Sequence, residues 1–172
     1  MPRMRYRFME VALATRDVQA QEDFWLRMFD AKVLFRGRMM GQPYSRVLAC
    51  GITLVFREQP DLELPPGPDE EIDFRQHLGL RVDDLDAAMA DLASRGARFV
   101  FTPATAGSFF GRWQQRPGGA AVETTYIAAP LTRERISAGE FRHDVAILVG
   151  PDNLWIELNA IREPPDTDWY PR

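Results

Sequence analysis

The stretch QHLGLRVDDLDAAMADLASRGARFVF, residues 76–101, contains the signals that decide the fold. Leu78, Leu80 and Val82 alternate with other residues, which is the pattern of a strand with one buried face. Asp84 then stands where a helix N-cap is expected, and apolar residues at helical spacing follow it. The glycine of RGA fits the left-handed position that ends a helix, and RFVF begins a new strand. The stretch therefore predicts a strand, a helix and a second strand.

The same order of signals occurs earlier in the chain, in MEVALATRDVQAQEDFWLRMFDAKVLF, residues 9–35. There Met9, Val11 and Leu13 alternate with other residues, and Asp17 takes the capping position. Two more strands are predicted in each half: YSRVLAC and GITLVFRE in the first, HDVAILV and LWIELNAI in the second. The two stretches match in their pattern of residue types more than in residue identity, and the length of the match makes chance a poor explanation. The chain is thus predicted to hold two modules of one strand, one helix and three strands.

The boundaries of the modules follow from the composition of the connecting segments. The proline-rich acidic stretch at residues 59–73 is typical of a linker. A first module is therefore predicted over 1–58, a second over 74–163, and a tail over 164–172. The second module carries an insertion at about 104–142 that is longer than a plain connection needs. Its aromatic side chains either cover a pocket as a flap or pin the loop to the body of the protein.

The composition excludes several classes of function. With 172 residues, 45% hydrophobic and 27% charged, the chain is close to the average of soluble globular proteins. The net charge of -4 does not indicate a basic surface that would bind nucleic acid. No apolar run approaches the ~20 residues that a helix needs to cross a bilayer. We therefore expect a cytoplasmic protein without nucleic-acid or membrane partners. Cys50, the single cysteine, excludes an internal disulfide, and its apolar neighbours predict a buried, inert thiol.

Three ionisable side chains are predicted on strand faces that lie opposite the apolar sets. Glu10 and His77 occupy equivalent positions in the first strands of the two modules, and Glu157 lies on a related face of the last strand. Each residue alone is more often a satisfied structural residue than a ligand, but buried carboxylates and imidazoles persist by pairing or by binding a metal. If the three converge in one concavity, they predict a site for one divalent ion: Zn, Ni, Mn, Co or Fe(II).

These segments together resemble the vicinal oxygen chelate superfamily of glyoxalases, bleomycin-resistance proteins and extradiol dioxygenases. The opening HLGLRVDDLDAA and the hairpin GPDNLWIELN carry the resemblance, which covers residues 7–57, 74–103 and 143–161. It implies an α+β fold of paired βαβββ modules that form a curled, cup-shaped mixed sheet with the helices outside. It also implies a homodimer, which an exposed sheet edge favours.

In metal-binding members of this superfamily the ligands come from the first and last strands of each module. The resemblance therefore implies Glu10, His77 and Glu157 as metal ligands in this chain. The fourth place falls in GITLVFRE, where Thr53 and Val55 face the pocket and neither is a useful ligand. The first-strand ligand is often histidine in the family, and Glu10 stands there instead. Both departures from the family pattern fall in the first module.

The resemblance leaves different classes of function open. The first is a metal-dependent enzyme of glyoxalase type, an isomerase or lyase, in which the ion chelates adjacent substrate oxygens and Glu10 or Glu157 moves a proton. Extradiol-type dioxygenation is less favoured, because it uses two histidines and one carboxylate and only His77 fits. The second is a metal-free protein that binds a small molecule, with Glu10 and His77 bonded to each other or to the ligand. A third is a module whose pocket has decayed.

Four further residues are expected to contact a small-molecule substrate. Tyr44, Arg46 and Arg57 lie on strands that would border the cup, and an arginine there suits a carboxylate or phosphate group. Trp155 is predicted on the same face of the last strand as Glu157.

Overall fold

A computed structural model describes residues 9–67, 77–105 and 142–163 of the chain. The chain divides into two compact units, and each unit contributes one four-stranded sheet to the described part. Within these ranges, no helix is both long and apolar enough to cross a membrane.

Unit 1 comprises Met1–Pro65 together with Gly150–Asn153. Its four strands form a mixed sheet of order β1-β4-β3-β2, in which β1 and β4 are parallel and the other neighbours are antiparallel. The elements in chain order are β1 (Glu10–Thr15), α1 (Val18–Phe29), β2 (Lys32–Met39), β3 (Gln42–Ala49) and β4 (Ile52–Glu58).

Unit 2 comprises Pro66–Val149 together with Leu154–Arg172. Its sheet has the order β5-β8-β7-β6, with β5 and β8 parallel, so it repeats the arrangement of unit 1. The elements are β5 (His77–Arg81), α2 (Leu85–Ser94), β6 (Arg98–Phe101), β7 (Arg142–Val149) and β8 (Trp155–Glu163). The predicted paired βαβββ fold is thereby confirmed. Most of the predicted insertion, residues 106–141, lies outside the described residues, and the predicted module boundaries stay a prediction.

Both helices begin where the sequence predicts a cap. The Asp17 carboxylate accepts a hydrogen bond from the backbone N–H of Ala20 at 3.0 Å, and that of Asp84 accepts one from Ala87 at 2.9 Å. These bonds satisfy backbone donors that the first turn of a helix cannot pair internally. Gly96 follows α2 with a φ of 89°, the left-handed conformation that glycine adopts without strain.

Each helix packs on one face of its own sheet. In unit 1, Trp25 and Met28 of α1 are buried, as are Leu54 and Phe56 on the facing side of β4. The rings of Phe24 and Trp25 meet edge to face with their centroids 5.8 Å apart. In unit 2 the buried set is formed by α2 and the two central strands, β7 and β8, and it includes Leu85, Leu92, Leu148, Ile156 and Leu158. Burial of this apolar surface is the main source of stability for each unit.

The four residues that unit 1 takes from late in the chain hold the end of β1. The carboxylate of Asp152 accepts hydrogen bonds from the hydroxyl of Thr15 and, at 3.0 Å, from the backbone N–H of Arg16. The amide of Asn153 donates to the carbonyl of Pro65 at 2.9 Å. Asp152 and Asn153 both have a φ of 57°, which Asp and Asn tolerate better than most residues. The GPDN motif is therefore a structural part of unit 1.

Two tight turns join β2 to β3 and β3 to β4. Met40 and Gly41 have φ values of 52° and 81°, and Cys50 and Gly51 have 50° and 80°, as in type I′ turns. The predicted Cys-Gly turn is present, but the prediction of a buried Cys50 is wrong because the turn exposes this residue. Neighbouring atoms still desolvate the thiol enough to raise its pKa. Met9, predicted in the apolar set of the first strand, is also exposed, because β1 begins one residue later.

We expect Met40→Asn to raise the free energy of unfolding by about 0.5–1 kcal/mol, because asparagine adopts the left-handed conformation more easily than methionine. The Met40 side chain is 88% exposed, so its loss removes little packing. Urea denaturation measures the gain. Met39→Asn is the matched control, since its backbone has no positive φ. A Met40→Asn variant that is no more stable than the wild type would contradict the assignment of strain to this turn.

Candidate functional site

His77 and Glu157 lie side by side on the far face of the unit 2 sheet, meaning the face opposite α2. The parallel register of β5 and β8 places His77 beside Trp155 and Gly79 beside Glu157. The Nε2 atom of His77 is 3.6 Å from the Oε2 atom of Glu157. The two side chains are 34% and 15% exposed, so a solute can reach both. The far face of unit 2 thus presents an imidazole and a carboxylate together.

Gly79 leaves the surface beside Glu157 without a side chain. A Cβ atom added to Gly79 would lie 3.6 Å from the amide nitrogen of Asn159, which is ordinary contact. The glycine is therefore not required for packing at this position. Its effect is that no side chain of β5 stands directly beside Glu157, since Gly79 is the cross-strand neighbour of that residue.

The pair of His77 and Glu157 fits two ligands of a divalent ion. Nitrogen and oxygen ligands lie about 2.0–2.2 Å from zinc, so two ligands of one tetrahedral ion are about 3.4 Å apart. The observed separation of 3.6 Å needs little adjustment to reach that geometry. Within residues 9–67, 77–105 and 142–163, no group of three or more His, Cys, Asp and Glu side chains is placed to hold a metal ion. The described part of the chain therefore brings two of the predicted ligands together.

Glu10, the third predicted ligand, lies in unit 1 and has a cation as its neighbour. It is on the far face of that sheet, opposite α1, and its Oε2 atom accepts a hydrogen bond from the Nη2 atom of Arg46. The register places Glu10 beside Thr53 and Arg46 beside Val55, so the pair reaches across β4. The two side chains are each about one-third exposed, at 32% and 33%. The ligand role of Glu10 stays a prediction.

The substrate-contact residues predicted in the first module share the far face of unit 1. Tyr44 on β3 is directly opposite Arg57 on β4, and Arg46 is two residues further along β3. The ring of Tyr44 meets that of Phe35 at an interplanar angle of 63°, with the centroids 6.0 Å apart. This contact restricts the tyrosine ring, while Arg57 remains exposed.

A β-bulge in β2 brings Phe35 to this face. The register between β2 and β3 shifts between Val33 and Phe35, so Leu34 is the extra residue. The ring of Phe35 then lies over Gly37, where an added Cβ would be 2.8 Å from two ring carbons. Gly37 is therefore required for the close approach of the ring that packs on Tyr44.

An apolar wall borders the pair of His77 and Glu157. Trp155, predicted to contact substrate, is only 1% exposed and packs in one cluster with Ile147. Ile147 is the cross-strand neighbour of Glu157 on β7. The partly buried residues of the cluster are Val100, Phe101, Val145 and Val149. Sequence reasoning missed this wall, although the unbroken apolar run AILV of β7 is typical of a strand with both faces covered.

A second carboxylate in unit 1 has a purely structural pairing. Glu22 on α1 is buried and accepts hydrogen bonds from Arg36 on β2, at 2.8 Å from Nε and 2.6 Å from Nη2. The hydrogen bond and the charge of Glu22 raise the pKa of the Arg36 guanidinium. Arg36 lies on the α1 face of the sheet, because its cross-strand neighbour is the buried Ser45. This pair therefore lies on the α1 face and not on the far face, with Glu22 buried and Arg36 exposed.

Solved structures with the same fold span nearly the whole chain. FosX from Listeria monocytogenes, complexed with Mn(II) and a sulfate ion, matches with a TM-score of 0.53 and 12% identity over 91% of this chain and 93% of that chain. A glyoxylase/bleomycin resistance protein/dioxygenase domain from Frankia sp. EAN1pec matches with a TM-score of 0.55 and 20% identity over 92% of this chain and 100% of that chain. TnmS3, an antibiotic binding protein from Streptomyces sp. CB03234, matches with a TM-score of 0.55 and 18% identity over 93% of this chain and 99% of that chain.

At these sequence identities, the structural matches show a shared fold. No curated protein sequence matches the chain. A family model gives a more specific result. The model described as glyoxalase/bleomycin resistance protein/dioxygenase superfamily matches residues 9–113, which is more than half of the 172 residues. The match begins just before β1 and extends past β6, so it includes both helices and His77. The chain therefore belongs to the glyoxalase/bleomycin resistance protein/dioxygenase superfamily.

Proposed function

We propose that the protein is a glyoxalase-type, metal-dependent enzyme, an isomerase or lyase that acts on a small substrate with two adjacent oxygens. The observation that carries the proposal is the pair of His77 and Glu157, whose Nε2 and Oε2 atoms are 3.6 Å apart. An imidazole and a carboxylate on adjacent strands, both accessible to solutes, are suitable ligands for a divalent ion.

In this proposal His77 and Glu157 hold the ion, and Glu10 is the third ligand. Glu10 is included because it occupies in the first module the position that His77 occupies in the second. It has to release Arg46 in order to bind a metal. The bound ion, which we propose to be Zn, Ni, Mn, Co or Fe(II), would act as a Lewis acid on the substrate oxygens. FosX from Listeria monocytogenes, a protein of the same fold, is complexed with Mn(II).

The carboxylates of Glu157 and Glu10 are the proposed groups that move a proton. Glu157 is well suited to this role because the apolar side chain of Ile147 lies beside it and limits the water around the carboxylate. Fewer waters strengthen the interaction of a carboxylate with a nearby charge. Tyr44, Arg46 and Arg57 are the proposed substrate contacts, and Trp155, which is 1% exposed, would have to be uncovered to join them. A homodimer in the cytoplasm also remains part of the proposal.

Metal content tests the proposal directly. We expect protein purified without added metal to contain about one divalent ion per chain by elemental analysis. After removal of the ion with a chelator, adding back the native ion at a hundredfold excess over Kd should raise the free energy of unfolding by about 2.7 kcal/mol, and with it the melting temperature. Absence of metal, together with no thermal shift for any of the five ions, would exclude this function.

The second candidate is a metal-free small-molecule binding protein, and the ion pair of Glu10 with Arg46 favours it. A carboxylate that already has a cationic partner is less available to a metal. The antibiotic binding protein TnmS3 shares the fold. Stoichiometric binding of a small molecule by chelator-treated protein, without turnover, distinguishes this candidate from the first. An extradiol-type dioxygenase is less favoured, because His77 is the single histidine at the proposed site.

A further inference from the structure

We propose that the far face of unit 1 binds an oxyanion of the ligand, a carboxylate, phosphate or phosphonate group, through Arg46, Arg57 and Tyr44. This proposal rests on the proposed function in one respect, namely that the protein binds a small molecule. It adds the chemical class of the group that is recognised, and it gives Glu10 a role toward Arg46 that does not depend on a metal.

The far face of unit 1 carries more positive than negative charge. Arg46 and Arg57 lie on neighbouring strands and on the same face, with Tyr44 directly opposite Arg57. Glu10 is the ion-pair partner of Arg46, and within the part of the chain that the structure describes no carboxylate pairs with Arg57. Arg57 is exposed, so its charge can be reached by a solute. A bound anion would balance it.

The Arg46 guanidinium has donors left for a ligand. A guanidinium carries five N–H groups, and the described contact with Glu10 uses Nη2. The Nε atom of Arg46 has no hydrogen-bond partner among the described residues, but it is buried, so the donors that a ligand could reach are those at the Nη end of this one-third exposed side chain. A planar or tetrahedral oxyanion accepts from several N–H groups at once, which a single oxygen of Glu10 does not.

The neighbouring strand leaves room above these groups. Ala12 and Ala14 of β1 lie beside Val55 and Arg57, and both alanines are exposed. A methyl group does not reach over the Arg57 guanidinium, so β1 does not cover Arg57 within the described part of unit 1. The ring contact with Phe35 holds Tyr44 in place, and the tyrosine hydroxyl supplies a neutral donor next to the two cations.

Glu10 then acts as an internal competitor for the ligand anion. The ion pair of Glu10 with Arg46 is about one-third exposed, so solvent screening keeps it weak. An oxyanion that makes two charge-assisted hydrogen bonds can displace one carboxylate oxygen. Removing the charge of Glu10 should therefore strengthen binding of an anion, whereas removing the charge of either arginine should weaken it.

Titration with inorganic phosphate tests this proposal. The full-length protein is treated with EDTA and titrated at constant ionic strength, and binding is followed by calorimetry and by melting temperature. We expect phosphate to stabilise the wild type, and Arg46→Gln and Arg57→Gln to weaken its binding by about tenfold. Glu10→Gln should tighten binding several-fold. Arg38→Gln is the matched control, because it removes the same charge from β2, where Arg38 bonds to the carbonyl of Gly41.

The results separate the two proposals. Equal phosphate affinity in the wild type, Arg46→Gln and Arg57→Gln would overturn the oxyanion site, and so would the absence of any phosphate effect in both the wild type and Glu10→Gln. If Arg38→Gln loses as much phosphate affinity as Arg46→Gln and Arg57→Gln, the loss reflects net charge alone, and the oxyanion site is overturned as well. His77→Ala should keep its phosphate response. Wild-type protein that binds phosphate but no divalent ion would refute the metal-dependent function and leave the oxyanion site standing.

Discussion

His77→Ala is expected to lower the affinity for divalent ions by about 100-fold or more, since even loss of a group that supports a ligand costs 10–100-fold. The substitution removes the nitrogen that lies 3.6 Å from Glu157 and leaves one ligand of the pair. Calorimetric titration of metal-free protein with Zn, Ni, Mn and Co measures the change. His143→Ala is the matched control, because it removes the other of the two histidines in the chain.

The His77 side chain is about one-third exposed, so its truncation should leave the melting temperature of metal-free protein nearly unchanged. This second readout distinguishes loss of a ligand from loss of the fold. A His77→Ala variant that binds ions as tightly as the wild type would show that the pair is not a metal site. Equal losses in His77→Ala and His143→Ala would show that the loss of affinity is not specific to His77.

Trp25→Ala should lower the free energy of unfolding by about 3–5 kcal/mol, the usual cost of truncating a large buried aromatic residue. Trp25 is 1% exposed, and its ring lies against those of Phe24 and Phe29 at centroid distances of 5.8 and 4.9 Å. Because α1 packs on β3 and β4, the cavity would loosen the helix that supports the sheet bearing Glu10. Urea denaturation provides the measurement.

Leu26→Ala is the control for this experiment. Leu26 is the next residue of α1 and is 36% exposed. Its truncation should therefore lower the free energy of unfolding by about 1 kcal/mol or less, well under the loss expected for Trp25→Ala. A Trp25→Ala variant that is as stable as Leu26→Ala would mean that α1 contributes little to unit 1. Equal m-values in the two variants would confirm that both unfold from a similarly compact state.

Much of the fold was predictable because its determinants are local. The alternation of Leu78, Leu80 and Val82 defines which side of β5 is buried, and hence that His77 lies on the opposite side. Asp17 and Asp84 mark the helix starts by a side-chain bond to a backbone group three residues away. Such interactions depend on neighbours in sequence, so a pattern of residue types is enough to reveal them.

The partners across strands were not predictable in the same way. Glu10 and Arg46 are 36 residues apart, and they meet because β4 lies between β1 and β3 in one particular register. The bulge at Leu34 shifts a different register, that between β2 and β3, by one residue, and no turn residue or proline stands at the bulge. The burial of Trp155 likewise depends on side chains from other strands, including Ile147. Sequence patterns assign faces, whereas the packing of strands decides which charges meet.

The dependence of unit 1 on Asp152 has a consequence for how the protein is made. The donors of Arg16 and Thr15 emerge from the ribosome long before their acceptor, which is 136 residues further along in the case of Arg16. At about 5–20 residues per second, translation needs about 7–27 s to cover that distance. The nascent first unit therefore waits, incompletely bonded, until Asp152 has been synthesised. A ribosome that stalls near the middle of the message would leave a fragment that lacks the acceptor altogether.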